Sequence, residues 1–398
     1  MRPLRPAIRR DPPPDLSDLD DHPGLAARIR DEIRTSGPMP FVRFMQLALY
    51  DPDGGYYRSA DARPGRGGDF LTAPELHPIF GEMVGRAVAE AWRILGKPDP
   101  FVVREHGAGA GALAIPMLRD LPATIRYSPV EVDHRRLLAL RERLTSEDLA
   151  DRMIDLDVDA SFDGVVIANE VLDALPVHRV RRRADGLREL AVDMDADRAF
   201  VEVEIDPTTP ALAERLDAEG VDLVDGQTAE IALAVDEWVA TAARPLRRGM
   251  ALFIDYGAPA AELYDHMRRR DGTLRGYVRH QVGDDPYRFV GRQDLTAHVD
   301  ITAVQRAAEA AGLTTLGITT QAEALMGLGI EERLRDVQAD PATTIEAYTL
   351  LRSSLMRLLD PAAMGRFRFM AFGRDWPPNP LPGFLAYRLG RQSTPRAD

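Results

Sequence analysis

The residues at 102–113 constrain the fold of this chain more than any other segment. A short apolar run and an acid, Glu105, are followed by three glycines at alternate positions, Gly107, Gly109 and Gly111, and then by helix-forming residues. Glycine has no Cβ, so such a turn can adopt positive φ angles and bring the backbone close to a flat ligand. The first turn of the following helix also has unpaired N–H groups. The pattern predicts a strand, a tight turn and a helix that together bind a nucleotide-like ligand.

A second acid stands where nucleotide-binding folds place a sugar-binding carboxylate. Residues 125–130 are predicted to form the next strand, and Glu131 follows it directly. In doubly wound folds, a carboxylate about 20 residues beyond the glycine turn binds the ribose hydroxyl groups. Glu131 is therefore the candidate ribose ligand.

The glycine turn alone is compatible with two cofactors. Gly107, Gly109 and Ala112 also match the spacing of the dinucleotide fingerprint, so an NAD-dependent oxidoreductase is a competing hypothesis. S-adenosylmethionine differs from NAD because its methionyl end carries an ammonium group, and Glu105 stands just before the turn. The residues therefore favour S-adenosylmethionine over NAD.

Composition excludes several classes of protein. The chain has 398 residues and no cysteine, which excludes disulfides and thiolate chemistry. Its net charge of −13 argues against a binder of duplex nucleic acid and would suit a cationic substrate. It has no apolar run long enough to cross a bilayer and no secretory signal pattern. We therefore expect a cytoplasmic protein without a nucleic-acid or membrane partner, and the sequence does not predict its oligomeric state.

Strands that alternate with helical stretches after residue 100 predict a Rossmann-like α/β fold with a mainly parallel sheet. Short alternating runs separated by turn residues predict an inserted antiparallel β-meander, followed by a helix at about 228–243. The predicted organisation is a disordered tail (1–21), a helical and loop segment that covers the cleft (22–100), and a methyl-donor domain (101–392) with the meander (177–205), a long loop (257–299) and a helical insertion (321–365).

Further polar side chains follow the third predicted strand of the sheet. Asn169, Glu170 and Asp173 come directly after the apolar run 164–168. Ligands of open α/β sheets bind at the carboxyl ends of the strands, so these residues are expected at the mouth of the cleft. Helix capping by Asn169 and ordinary surface acids are the alternative. The histidines and acids of the chain do not have the spacing of a metal site.

These segments resemble the MidA family of class I S-adenosylmethionine-dependent methyltransferases, which includes a mitochondrial complex I assembly factor that methylates an arginine of a respiratory subunit. The resemblance covers about residues 40–373. It is carried by the motifs at 68–75, 105–111, 168–178, 254–257, 272–275 with His280, 285–286, 294–300, 320–321 and 361–365. It implies a donor site at Glu105, Gly107, Gly109, Gly111 and Glu131, with Gly68, Asp69 and Thr72 lining the cleft.

The resemblance also implies methyl transfer to the guanidinium of a protein arginine. Arginine and the sulfonium donor are both cationic, so carboxylates are needed to bring them together, and a pair of carboxylate oxygens aims the planar guanidinium. Glu170 and Asp173 are the predicted clamp, Asn169 orients it, and His280 or His298 accepts a proton afterwards. The alternatives are a small-molecule methyltransferase that uses the same donor and a non-catalytic assembly or binding protein with this fold.

Overall fold

The computed structural model describes residues 16–59, 71–157, 159–279, 281–283 and 285–384. Three predicted site residues, Gly68, Asp69 and His280, lie outside the described residues. So do residues 1–15 of the predicted tail and residues 385–392 at the end of the predicted domain.

Helices and strands alternate along most of the described chain. The α-helices are α1 Pro23–Ser36, α2 Phe41–Tyr50, α3 Ala73–Leu76, α4 Ile79–Ile94, α5 Ala114–Arg119, α6 His134–Ser146, α7 Ala211–Ala218, α8 Ala234–Ala243, α9 Ala260–Leu263, α10 Ile301–Ala310, α11 Gln321–Gly327, α12 Ile330–Ala339 and α13 Ile345–Leu359. The β-strands are β1 Met39–Pro40, β2 Phe101–His106, β3 Ile125–Val130, β4 Phe162–Asn169, β5 His178–Arg183, β6 Gly186–Met194, β7 Phe200–Ile205, β8 Thr228–Ile231, β9 Leu246–Asp255, β10 Gly257–Ala258, β11 Arg275–Val278, β12 Gln281–Gly283, β13 Asp294–Thr296, β14 Val299–Asp300, β15 Thr314–Thr320 and β16 Arg368–Arg374.

The central sheet has six strands in the order β15-β16-β9-β4-β2-β3. Strands β3, β2, β4 and β9 are parallel, and β16 is antiparallel to both of its neighbours. The sheet is apolar on both faces because helices cover both: α4, α5 and α11 pack on one face, and α8 and α10 on the other. The predicted Rossmann-like fold is confirmed. Its parallel strands place their carboxyl ends along one edge, where ligands bind in such sheets.

The predicted meander is also present, as part of a larger second sheet. Strands β5, β6 and β7 pair antiparallel, and β1 and β8 extend them in the order β1-β6-β5-β8, with β7 on β6. The predicted helix at 228–243 is wrong over its first residues, because Thr228–Ile231 forms β8 and pairs with β5. Helix α8 begins only at Ala234. Long-range strand pairing here overrides the local helical pattern.

Helices α1 and α2 pack against this second sheet, whereas α4 packs on the central one. Leu25 and Phe44 share a core with Val192 and Phe200 of the meander. Residues at the end of the predicted tail belong to the fold as well, because Asp21 accepts a hydrogen bond from the N–H of Val290 at 3.0 Å. The amino-terminal segment also reaches the end of β4, where the N–H of Ala73 donates to Glu170 and the hydroxyl of Tyr50 to the carbonyl of Ala174. No described helix combines the length and the apolar composition that a membrane span requires.

Candidate active site

The glycine turn joins β2 to α5 at the carboxyl edge of the central sheet. Gly107, Gly109 and Gly111 have φ angles of 68°, 52° and 83°, which disfavour any other residue. A Cβ at Gly107 would lie 2.8 Å from a methyl group of Val171, and one at Gly111 would lie 2.5 Å from a methyl group of Leu140. A Cβ at Gly109 would meet nothing within 4 Å. The outer glycines are thus required by packing, whereas Gly109 borders open space that a ligand can fill.

Glu131 lies against this turn, as the sequence predicts. Its Oε2 accepts the N–H of Gly109 at 2.8 Å, and its Oε1 accepts the N–H of Asp133 at 3.0 Å. These two bonds fix the carboxylate between the turn and the start of α6. The glycine with open space beside it and the candidate ribose ligand are therefore direct neighbours.

Glu105 is buried at the end of β2, just before the turn. Tyr127 donates a hydrogen bond to its Oε2 at 2.5 Å. Burial raises the pKa of Glu105 to about 8, and the negative charge of Glu131 acts in the same direction. No Arg or Lys in the described ranges forms an ion pair with it. A buried carboxyl group of this kind can pair with a cationic part of a ligand.

The second group of predicted residues meets at the end of β4. Asn169 donates to Oε1 of Glu170 at 3.1 Å, and the N–H of Ala73 donates to the same atom at 3.3 Å. Glu170 has a φ angle of 51°, in the left-handed region. Burial, with the charge of Asp173 nearby, raises the pKa of Glu170 to about 8. Asn169 and Glu170 thus form one polar unit.

Asp173 completes this unit on the next turn of the chain. The hydroxyl of Tyr256 donates a hydrogen bond to its Oδ2. Burial raises the pKa of Asp173 to about 6. The negative charges of Asp173 and Glu170 both act on the hydroxyl of Tyr277. The two acids and the hydroxyl groups of Tyr256 and Tyr277 therefore lie in the same part of the structure.

Thr72 lies beside the same acids through the backbone. It caps α3, and its hydroxyl donates to Glu75 at 3.1 Å in a capping box. The N–H that reaches Glu170 belongs to Ala73, the first residue of this helix. Thr72 is thus placed at the cleft by α3, next to the acid cluster.

His298 is not part of the acid cluster. Its ring packs edge-on against Tyr256 with centroids 5.4 Å apart, and the hydroxyl of Tyr256 in turn donates to Asp173. Burial lowers the pKa of His298 to about 4, and the positive charges of Arg269 and Arg366 add to the effect. The lowered pKa makes the ring a weak base, and the role of His298 as a proton acceptor stays a prediction.

Two tyrosines and an acid beside this cluster, Tyr50, Tyr57 and Asp294, were not predicted as site residues. Tyr57 donates to Asp294 at 2.8 Å, and Tyr50 donates to the carbonyl of Ala174 at 2.9 Å. The rings of Tyr50 and Tyr57 stack at 5.5 Å. Burial raises the pKa of Tyr50, and the charges of Asp294 and Asp173 raise it further. The paired tyrosines at 56–57 were the available signal, but nothing local connects them with residue 294.

Comparisons with known proteins show the family to which this chain belongs. Residues 83–319 match a family described as "Putative S-adenosyl-L-methionine-dependent methyltransferase". The crystal structure of a superfamily relative from Burkholderia thailandensis, bound to S-adenosyl-homocysteine, is 36% identical with a TM-score of 0.86, covering 94% of this chain and 98% of that one. A second structure from the same organism is 35% identical with a TM-score of 0.83 and the same coverage. An NAD-dependent oxidoreductase is thereby set aside.

Curated relatives extend the similarity to animals. The protein arginine methyltransferase NDUFAF7 homolog, mitochondrial, of Drosophila melanogaster is 30% identical over 409 residues, covering 93% of this chain and 87% of that protein. The human protein arginine methyltransferase NDUFAF7, mitochondrial, is 29% identical over 92% of this chain and 86% of its own length. Because these relatives are mitochondrial proteins, the expectation of a cytoplasmic location is wrong. The match over most of the chain, to the family and to its relatives, shows that this chain belongs to the MidA family of S-adenosyl-L-methionine-dependent methyltransferases.

Proposed function

We propose that this methyltransferase acts on the guanidinium group of an arginine in a protein substrate. The observation that carries the proposal is the pair of acids Glu170 and Asp173, which lie together at the carboxyl edge of the sheet with raised pKa values. Neither forms an ion pair with an Arg or Lys of the described chain. A cationic, planar acceptor would supply the missing partner. The arginine methyltransferases among the relatives support the same substrate class.

The donor side of the cleft fits S-adenosylmethionine, which supplies a methyl group on a sulfonium. We assign Glu105 to the ammonium of its methionyl end, because the carboxyl group is buried without a cation. We assign Glu131 to the ribose and the open side of Gly109 to the flat body of the ligand. Thr72 lies on the acceptor side, and Gly68 and Asp69 remain predictions of the family resemblance.

The acceptor side provides alignment and charge. Glu170 and Asp173, ionised, hold the guanidinium and place one nitrogen towards the donor, and Asn169 fixes the orientation of Glu170 through its 3.1 Å hydrogen bond. Alignment of this kind supplies much of the acceleration in a displacement reaction. As the new N–C bond forms and the C–S bond breaks, the attacking nitrogen loses a proton. We assign that proton to Glu170, whose raised pKa makes it a better acceptor than His298.

The experiment that tests the proposal uses a methyl-labelled donor and a cell extract as the source of acceptors. Wild-type protein should place the label in methylarginine of hydrolysed protein. Glu170→Gln should lose at least about 100-fold of this activity, since charged groups in a closed site each contribute several kcal/mol. Its affinity for S-adenosylhomocysteine, measured by calorimetry, should stay within about twofold because Glu170 lies on the acceptor side. Glu331→Gln, an exposed substitution on α12, is the matched control.

Two results would contradict the proposal. Label that appears only in the small-molecule fraction would support a methyltransferase with a metabolite acceptor. Methylarginine formed as fast by the Glu170→Gln variant as by wild type would remove the clamp from the mechanism.

A further inference from the structure

Asp255 is a buried acid at the end of β9 that belongs neither to the proposed donor site nor to the acceptor clamp. Its Oδ2 accepts hydrogen bonds from three successive N–H groups, those of Val171, Leu172 and Asp173, at 3.2, 2.9 and 3.2 Å. Its Oδ1 accepts the N–H of Tyr256 at 2.8 Å. One side chain thus binds four backbone donors, three of them in a segment more than 80 residues away in sequence.

The segment held in this way is the turn that carries the acceptor clamp. Glu170 begins it in a left-handed conformation, with a φ angle of 51°, which costs a residue with a side chain about 1–2 kcal/mol. The N–H of Glu170 donates to the carbonyl of Ile254 at 2.8 Å. Four consecutive N–H groups, from 170 to 173, therefore bind to the last two residues of β9. The conformation persists because surrounding contacts determine it, which is typical of functional turns.

The side chains of the turn depend on this arrangement. The N–H of Asp173 donates to Asp255, and its carboxylate accepts a hydrogen bond from the hydroxyl of Tyr256, the residue that follows Asp255. Glu170 lies at the other end of the same turn. A rotation of the turn would move both carboxyl groups relative to each other and to the donor side of the cleft.

We propose that Asp255 is a positioning residue, whose carboxylate holds the 170–173 turn in the shape that directs Glu170 and Asp173 at one guanidinium. The inference rests on the proposed function for the identity of the acceptor. The hydrogen-bond arrangement itself does not depend on that identity. Asp255 touches neither reactant and acts through the turn.

The test compares Asp255→Ala and Asp255→Asn by hydrogen exchange and by kinetics, in the full chain saturated with S-adenosylhomocysteine for the exchange. In Asp255→Ala, the amides of residues 171–173 should exchange at least about 10-fold faster while the strands of the central sheet stay protected. The kcat for arginine methylation should fall about 100-fold, as expected for misplacement by about 1 Å, and KM for the donor should change less than about twofold. Asp255→Asn should have exchange rates and a kcat between those of wild type and Asp255→Ala. Its amide oxygen still accepts the three N–H groups, whereas its NH₂ faces the N–H of Tyr256.

A control separates positioning from a general loss of stability. Leu355→Ala removes buried volume from α13, in the core that contains no residue of the turn, and should lower the melting temperature while leaving kcat and the exchange of 171–173 unchanged. The inference is overturned if Asp255→Ala, or Asp255→Asn where the alanine variant does not fold, shows wild-type exchange at 171–173 or wild-type kcat. If wild type methylates no arginine, the proposed function fails, and the exchange data still decide whether Asp255 holds the turn.

Discussion

Replacing Gly109 by alanine should separate donor binding from folding. The new Cβ would enter open space, so the cost to the ligand-free protein is that of a left-handed backbone, about 1–2 kcal/mol. In the bound protein the same methyl group would occupy space that we assign to the donor. Forcing an extra methyl group into a filled site costs about 1–3 kcal/mol. The affinity for S-adenosylhomocysteine should therefore fall by about 10- to 100-fold.

The assay is thermal or chemical unfolding with and without the ligand. At a concentration of about 100 times the wild-type Kd, S-adenosylhomocysteine stabilises the wild type by about 2.7 kcal/mol. With the affinity loss above, the same concentration stabilises Gly109→Ala by only about 0.4–1.4 kcal/mol. The matched control is Gly312→Ala, where the glycine has a φ angle of 80° and likewise nothing within 4 Å of an added Cβ. That variant should lose about the same free energy of unfolding, because its alanine also has a left-handed backbone, and it should keep the full stabilisation by the ligand.

One outcome would refute this reasoning. If Gly109→Ala keeps the ligand stabilisation of the wild type, the donor does not lie across the open side of the turn. A large loss in the ligand-free protein alone would mean that the turn has a packing role at Gly109 as well.

Three further predictions concern pH. Burial raises the pKa of Glu105 to about 8, so ionisation of this group opposes folding. Glu105→Gln should therefore stabilise the ligand-free protein above pH 8. The same variant should weaken S-adenosylmethionine binding at least about 10-fold in calorimetry. Methyl transfer to arginine should rise with pH between about 6 and 8, as Asp173 and Glu170 ionise; a flat profile in initial rates would argue against the clamp. Burial and the adjacent Asp300 raise the pKa of Glu219 to about 8, so that stability is full below its ordinary value of 4.5 and falls as pH rises through 8. Glu219→Gln should raise the melting temperature at pH 8.5 and leave it nearly unchanged at pH 4.5.

The grouping of the candidate donor residues could be predicted from sequence because its signals are local. The turn residues from Glu105 to Gly111 are consecutive, and Glu131 follows on the adjacent strand at a spacing set by one helix. The backbone of the turn has positive φ angles, and glycines in a sequence are a direct signal of such angles. The structure places these residues as a single unit, with Glu131 bonded to Gly109 at 2.8 Å.

The acceptor side could be predicted only in part, because its residues come from distant segments. Asn169, Glu170 and Asp173 follow a recognisable strand, whereas Tyr57 and Asp294 are 237 residues apart and meet only in the folded chain. Asp255 reads in sequence as one more acid at the edge of the sheet. Its actual contacts, with four backbone N–H groups, depend on the register of β4 against β9. Hydrophobic periodicity does not encode such contacts.

The placement of acids says more about the reactants than the net charge does. A charge of −13 is compatible with ordinary solubility, and surface acids contribute to it without any partner. Glu105, Glu170 and Asp173 differ because burial raises the pKa of each, so the folded protein holds them in their charged form only at a cost. That cost is offset when a cation binds beside them. One such acid lies on the donor side and two on the acceptor side, which matches a reaction between two cationic partners. A cationic acceptor would offset this cost for Glu170 and Asp173 together, which favours arginine over a neutral acceptor.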